Sequence, residues 1–80
     1  MEPLHLKVIS PSGTLFESDV EMVELPGEMG PFTILEGHAP LIAALRSGEL
    51  AYRHDGEDKR MTIDSGFTEV ADDEVLVCID

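Results

Sequence analysis

Apolar and polar residues alternate over short stretches of this chain, and turn-forming residues separate the stretches. Leu4, Leu6 and Val8 alternate with polar neighbours, which is typical of a half-buried β-strand. Further short runs follow at residues 15–16, 20–25, 32–35, 41–45, 50–54, 57–63, 68–70 and 75–79. Short strands at such spacing predict an all-β protein, a small antiparallel β-sandwich or flattened barrel.

Two short acidic turns predict β-hairpins. Asp55-Gly56 suits a two-residue type I′ turn, and Asp72-Asp73 is predicted to form a second hairpin turn. Such turns place opposite charges on one face and apolar residues on the other, as a hairpin packed on a core requires. The expected cross-strand pairs are Arg53–Asp58, His54–Glu57 and Leu50–Met61 around the first turn, and Val70–Val75 around the second.

Two of the apolar runs are less regular than the others. In residues 20–25 the acids Glu21 and Glu24 do not share one strand face, so we expect a twist or a bulge there. Residues 41–45 fit either one or two helical turns or a strand buried on both faces, and their short length favours the strand. The predicted core consists of Leu6, Val8, Phe16, Val23, Phe32, Ile34, Leu41, Leu45, Leu50, Met61, Ile63, Val70, Val75 and Val77.

Length and charge narrow the classes of protein that fit. Eighty residues predict one domain, residues 1–80, with a small stability margin. The net charge of −12 disfavours binding to nucleic acid or anionic lipid, and suits either solubility or a partner with a basic surface. Cys78 stands alone in an apolar run, so we expect a buried thiol, no intrachain disulfide and a reducing compartment. No stretch has the length of a membrane span or the character of a signal peptide, so we expect no direct membrane insertion.

Candidate catalytic and metal-binding residues do not form recognisable motifs. His5, His38 and His54 are spread over the chain without ligand spacing, so no metal is expected. Ser65 with His38 and Asp64 lacks the Gly-x-Ser-x-Gly context of a nucleophile. The glycines of residues 27–30 lack the Gly-Lys-Ser/Thr of a phosphate loop, so no cofactor is expected. Catalysis by a pair of carboxylates is not excluded, because acidic residues are so frequent in this chain. A domain this small, however, leaves little room for a substrate cleft.

The most specific segment of the chain is a strand pattern that runs directly into Gly37-His38-Ala39-Pro40-Leu41. Gly37 permits unusual backbone angles and Pro40 restricts its own backbone and that of Ala39, so the chain turns in a closely specified way. This block, together with Gly48-Glu49-Leu50 at the family's spacing after it, resembles the N-terminal β-sandwich of the epsilon subunit of F-type ATP synthases. The resemblance covers essentially the whole chain and includes residues 5–10, 25–27, 34–41, 65–70 and 75–77.

The resemblance implies a rotor role without catalysis. In that family the sandwich lies at the foot of the central stalk, where it contacts the gamma subunit and the polar loops of the membrane c-ring. It helps to couple proton translocation to ATP synthesis, at the cytoplasmic face of the bacterial inner membrane. Two alternatives stay open: a free-standing acidic β-sandwich that binds another protein, and a small metal- or carboxylate-dependent enzyme.

The partner-binding residues implied by the resemblance fall in two segments. Gly30 to Phe32 corresponds to the family's ring-facing loop, and Gly37 to Leu41 to a neighbouring turn. The candidates are Met29, Gly30, Pro31, Phe32, Gly37, His38, Ala39, Pro40 and Leu41. For His38, a turn residue that only bonds backbone is an equal alternative to partner contact, and for Phe32 packing into the core is favoured.

The sequence departs from the family pattern in two ways, which affect the expected ring contact and the expected inhibition of ATP hydrolysis. Pro31 stands where some relatives carry an acid, although Glu28 is near enough in sequence to replace it. Many relatives continue into a C-terminal helical pair that inhibits ATP hydrolysis and in some binds ATP. Since these residues are absent from the sequence, we expect no self-inhibition by that route and no nucleotide binding.

Overall fold

Nine β-strands make up the fold, which is seen in a computed structural model that describes residues 3–80. The all-β prediction is therefore confirmed. The strands are β1 (Leu4–Ser10), β2 (Gly13–Val20), β3 (Met22–Gly27), β4 (Gly30–Ile34), β5 (Leu41–Leu45), β6 (Gly48–His54), β7 (Glu57–Ile63), β8 (Gly66–Ala71) and β9 (Glu74–Ile79). Among residues 3–80, no helix is long and apolar enough to cross a membrane.

The strands form one curled sheet in the order β2-β1-β9-β8-β5-β3-β6-β7, and β4 pairs with β3 beside this path. One pair departs from the predicted antiparallel arrangement, because β1 and β9 run parallel, with Leu6 opposite Val75 and Val8 opposite Val77. Antiparallel neighbours can be joined by tight turns that a sequence reveals, whereas a parallel pair needs a long crossover. Here the whole intervening chain is that crossover, so no local signal predicts the pairing.

The sheet curls until β2, at one end of the path, approaches β6, which is next to the other end. The rings of Phe16 in β2 and Tyr52 in β6 lie 4.6 Å apart between centroids and tilt by 32°. In the middle of the path, β3 and β5 share a single pair, Gly27 with Leu45. The sheet can bend sharply where so few hydrogen bonds join neighbouring strands. The result is a half-barrel with its apolar side chains inside.

Both predicted hairpins are confirmed, together with their register. Asp55 and Gly56 have φ values of 50° and 76°, and Asp72 and Asp73 have φ values of 51° and 61°. Positive φ at both central residues is what a type I′ turn requires. The register contains every expected pair: Leu50–Met61, Arg53–Asp58 and His54–Glu57 in the first hairpin, and Val70–Val75 in the second.

The two irregular runs differ in part from expectation. Residues 20–25 do not form one twisted strand: the chain bends at Glu21, so β2 ends at Val20 and β3 begins at Met22. The register irregularity lies elsewhere, between Val8 and Ile9. Residues 41–45 form the expected strand, but only one of its faces is buried, because Ile42 on the other face is 74% exposed.

The core occupies the inner side of the half-barrel. It also contains three residues that were not predicted, Leu4, Val20 and Leu25. Leu4 shares a strand face with Leu6 and pairs with Val20, and Leu25 shares a strand face with Val23. Four predicted core residues, Phe16, Phe32, Leu41 and Met61, are only partly buried and pack against its margin. The fully enclosed set is Leu4, Leu6, Val8, Val20, Val23, Leu25, Ile34, Leu45, Leu50, Ile63, Val70, Val75 and Val77.

Candidate partner-binding surface

The turn between β3 and β4 carries the first group of predicted site residues. Gly27 pairs with Gly30, which leaves Glu28 and Met29 at the tip. Met29 is 101% exposed, so its thioether side chain projects completely into solvent. Gly27 is needed for this hairpin because a Cβ there would lie 2.8 Å from the ring of Phe32 and 2.7 Å from the carbonyl oxygen of Gly30. The ring of Phe32 therefore lies against the backbone of β3 and supports the tip.

The second group, Gly37 to Leu41, is held in place by hydrogen bonds. The Gly37 N–H donates to Oδ1 of Asp73 over 2.7 Å, and the His38 N–H donates to the Leu35 carbonyl over 3.1 Å. Gly37 has φ 84°, which a residue with a Cβ rarely adopts. His38 Nδ1 is 2.7 Å from the Ala39 carbonyl oxygen, so the ring donates to backbone. This contact supports the interpretation of His38 as a turn residue that bonds backbone. The alternative, that His38 contacts a partner, stays a prediction.

The two groups meet in one groove of about 520 Å³. Met29, Gly30 and Phe32 line it from the hairpin, and His38 and Leu41 line it from the second segment. Two backbone hydrogen bonds fix this arrangement, one from the Glu28 N–H to the Ala44 carbonyl (3.0 Å) and one from the Arg46 N–H to the Pro26 carbonyl (2.8 Å). Four predicted residues do not line the groove, namely Pro31, Gly37, Ala39 and Pro40.

An apolar strip continues from this groove across the outer face of the sheet. We define the outer strip as Ala44, Phe67, Cys78 and Ile9, which are successive cross-strand neighbours on β5, β8, β9 and β1. Phe67 is 46% exposed and Cys78 is partly exposed, so the prediction of a buried thiol is wrong. Ala44 lines the groove as well as the strip, so the two surfaces are continuous.

Sequence reasoning missed the outer strip, and also Ile42, which lies beside it and lines the groove. The alternation in residues 41–45 contains a signal for them. If Leu41 and Leu45 face the core, Ile42 and Ala44 must face outward in a strand. An exposed row of apolar residues in a domain this small indicates an interaction surface.

The row of residues next to the outer strip mixes apolar and charged side chains. In the row next to it, Glu69 lies opposite Ile42 on one side and Leu76 on the other, and Lys7 follows opposite Leu76. Glu69 also lines a second groove of about 420 Å³ with His5, Lys7, Glu17 and Glu74. The hydrogen bonds of His5 to Asp19 and then to Glu17 raise its pKa, and the bond to His5 lowers the pKa of Glu17.

The candidate catalytic residues have other partners. Ser65 Oγ donates to a carboxylate oxygen of Asp80, and the His38 ring contacts the backbone of Ala39. The Ser65, His38 and Asp64 arrangement is therefore not assembled. Within residues 3–80, no group of three or more His, Cys, Asp and Glu side chains is arranged to hold a metal ion.

A match to a family model assigns this chain to a protein family. The model for the β-sandwich domain of the ATP synthase delta/epsilon chain matches residues 3–80. The chain belongs to this family. Its relatives include the ATP synthase epsilon chain of Lawsonia intracellularis, 43% identical over 76 residues, which are 95% of this chain and 57% of the relative. The epsilon chain of Campylobacter fetus subsp. fetus is 36% identical over 81 residues, covering 100% of this chain and 63% of the relative.

Solved structures show the same fold in assembled ATP synthases. A chain in the mitochondrial ATP synthase of Euglena gracilis, solved with OSCP, F1 and the c-ring, matches with a TM-score of 0.91 and 20% identity, over 99% of this chain and 51% of that one. A chain in the central stalk and c-ring of the Tetrahymena thermophila mitochondrial enzyme matches with a TM-score of 0.80 and 12% identity, over 98% and 63%. At these identities the likeness concerns the fold. The chain spans roughly three fifths of the length of its bacterial epsilon relatives, 57% and 63% in the two above.

Proposed function

We propose that this chain is a non-catalytic rotor subunit of an F-type ATP synthase, linking the gamma subunit of the central stalk to the polar loops of the c-ring. In that position it turns with both neighbours and helps to couple proton translocation to ATP synthesis. It would lie at the cytoplasmic face of the bacterial inner membrane, held there by other subunits. Family membership supports this role, and the role requires no catalysis by the side chains of this chain.

The observation that carries the proposal is the continuous apolar surface formed by the hairpin tip, the groove and the outer strip. Met29 is fully exposed at the tip, and Phe67 lies half-exposed at the centre of the strip. Exposed apolar side chains of this size gain nothing in an isolated domain, but they supply binding energy when a partner covers them. A subunit that connects two neighbours needs two such regions on a rigid support.

The two regions suit different partners. The tip is small, projects from the end of the half-barrel and corresponds to the family's ring-facing loop, so we assign it to the c-ring. The outer strip is broader and crosses four strands on the outer face of the curled sheet, so we assign it to gamma. The net charge of −12 favours a partner with a basic surface and would speed the encounter.

Two matched substitutions test the assignment. Phe67→Asp and Met29→Asp each add one negative charge to an exposed site, so they change long-range electrostatics equally. We expect Phe67→Asp to weaken capture by gamma by about tenfold or more, as for a central interface residue. Met29→Asp should leave gamma capture within about twofold of the original protein and weaken association with the assembled ring instead.

The assay is a pull-down with purified gamma at low and high salt, with circular dichroism to verify that both variants are folded. Binding to gamma that survives high salt and depends on Phe67 supports the proposal. Binding that vanishes in salt and responds equally to both substitutions would instead indicate a free-standing acidic interaction module. Absence of binding to gamma at either salt concentration would refute the rotor assignment.

A further inference from the structure

Asp19, near the end of β2, is held by two histidines from two different strands. His5 of β1 places Nδ1 2.9 Å from Asp19 Oδ1 and Nε2 2.7 Å from Glu17 Oε2. His54 of β6 places Nδ1 2.8 Å from the Asp19 carbonyl oxygen. Neither contact belongs to the surface assigned to partners.

The His5 contacts select one protonation state. Ionised carboxylates only accept hydrogen bonds, and a neutral imidazole has a single N–H to donate. With both ring nitrogens within hydrogen-bond distance of carboxylate oxygens, a neutral ring would leave one lone pair facing a carboxylate. Only the imidazolium can donate to Glu17 and Asp19 at once. We propose that His5 is a proton-gated clamp that fastens the end of β2 to β1 when protonated and releases one of its two carboxylates when deprotonated.

The charged groups around His5 favour its protonated state. Glu17 and Asp19 face it from β2, Glu74 lies opposite it on β9, and Glu69 of β8 lines the same groove. Lys7, on the same face of β1, also lines this groove and is the one lysine or arginine among its lining residues. In agreement with this arrangement, the pKa of His5 is raised, first by the Asp19 hydrogen bond and then by that of Glu17.

Release of the clamp has a defined structural consequence. β2 is the terminal strand of the sheet path and forms its ladder with β1 alone. It is also attached through Val20, which is buried in the core, through the contact of His54 with the Asp19 carbonyl and through the packing of Phe16 on Tyr52. When His5 loses its proton, β2 keeps its backbone ladder but loses a charge-assisted contact, so local opening of β2 becomes more frequent.

The clamp is independent of the rotor assignment and can be tested on the isolated full chain. NMR titration of the His5 ring should give a pKa above its ordinary value. As the pH rises through that titration, amide hydrogen exchange in β2, corrected for its intrinsic pH dependence, should accelerate about two- to fivefold relative to exchange in β9. An acceleration of this size corresponds to the loss of an exposed ion pair. His5→Gln, which has no ionisable ring, should abolish this pH-dependent difference.

Asp58→Asn is the matched control, because it removes one carboxylate from a cross-strand pair with Arg53 without involving a histidine. It should leave the pH response of β2 unchanged. Two results would overturn the proposal. One is a His5 ring that titrates at or below its ordinary pKa, and the other is β2 exchange with the same pH dependence in the original protein and in His5→Gln.

Discussion

Replacement of Gly66 by alanine should damage the fold more than any glycine substitution at a turn. Gly66 begins β8 and pairs with Leu45 on one side and Ile79 on the other. A Cβ added to Gly66 would lie 2.1 Å from the Cys78 carbonyl oxygen and 3.1 Å from the Ile79 Cα. Both are backbone atoms, so relief requires β8 and β9 to separate by about an ångström rather than a rotamer change.

The size of the effect follows from two terms. Gly66 has φ 156°, and Gly13, our control, has φ 129° with open space within 4 Å of the point that a Cβ would occupy. Both substitutions incur backbone strain of about 1–3 kcal/mol, but only Gly66→Ala adds an overpacking cost of about 1–3 kcal/mol. Because domains of this size lose about 4–8 °C in Tm per kcal/mol, an extra 2 kcal/mol corresponds to about 8–16 °C.

Thermal unfolding followed by circular dichroism measures the difference directly. We expect Gly66→Ala to melt about 8–16 °C below Gly13→Ala, or to fail to fold, since the total stability of such a chain is about 4–12 kcal/mol. Melting temperatures within about 3 °C of each other would refute the reasoning, because the clash at Cys78 would then cost almost nothing.

Three further predictions concern the core, the pH response and a turn. Leu50→Ala should cost about 2–5 kcal/mol in urea unfolding because Leu50 is fully buried, whereas Ile42→Ala should change stability by less than about 0.5 kcal/mol; equal costs would contradict the assigned faces. The folded-state pKa of His5 is raised, so its stabilisation is fully present below the unfolded pKa of about 6.5 and is lost as pH rises through the folded value. Comparison of the original protein with His5→Gln across this range should show the advantage at low pH only, and an advantage that grows with pH would contradict the sign. Asp72→Val should cost about 1–3 kcal/mol by thermal unfolding, since a β-branched residue is strained at φ 51°, and Asp72→Gly serves as the unstrained control.

Local chemistry explains why so much of the fold is readable from the sequence. Asp55-Gly56 and Asp72-Asp73 set both the position and the register of their hairpins, because a two-residue turn leaves one way to align the flanking strands. The alternation around Leu6 identifies a buried strand face without any knowledge of its neighbours. The candidate partner-binding segments were proposed through their resemblance to a family, and their meeting in one groove was not visible in either segment alone.

The sequence by itself determined where most of the strands lie, how the two acidic turns fold and which side chains are apolar enough to form a core. Only the tertiary structure decided that β1 and β9 pair in parallel, that Ile42 and Phe67 face outward and that His5 lies between two carboxylates. The physical reason is distance along the chain. Turn chemistry and strand periodicity act over a few residues, whereas these contacts form only when the curled sheet brings remote strands together.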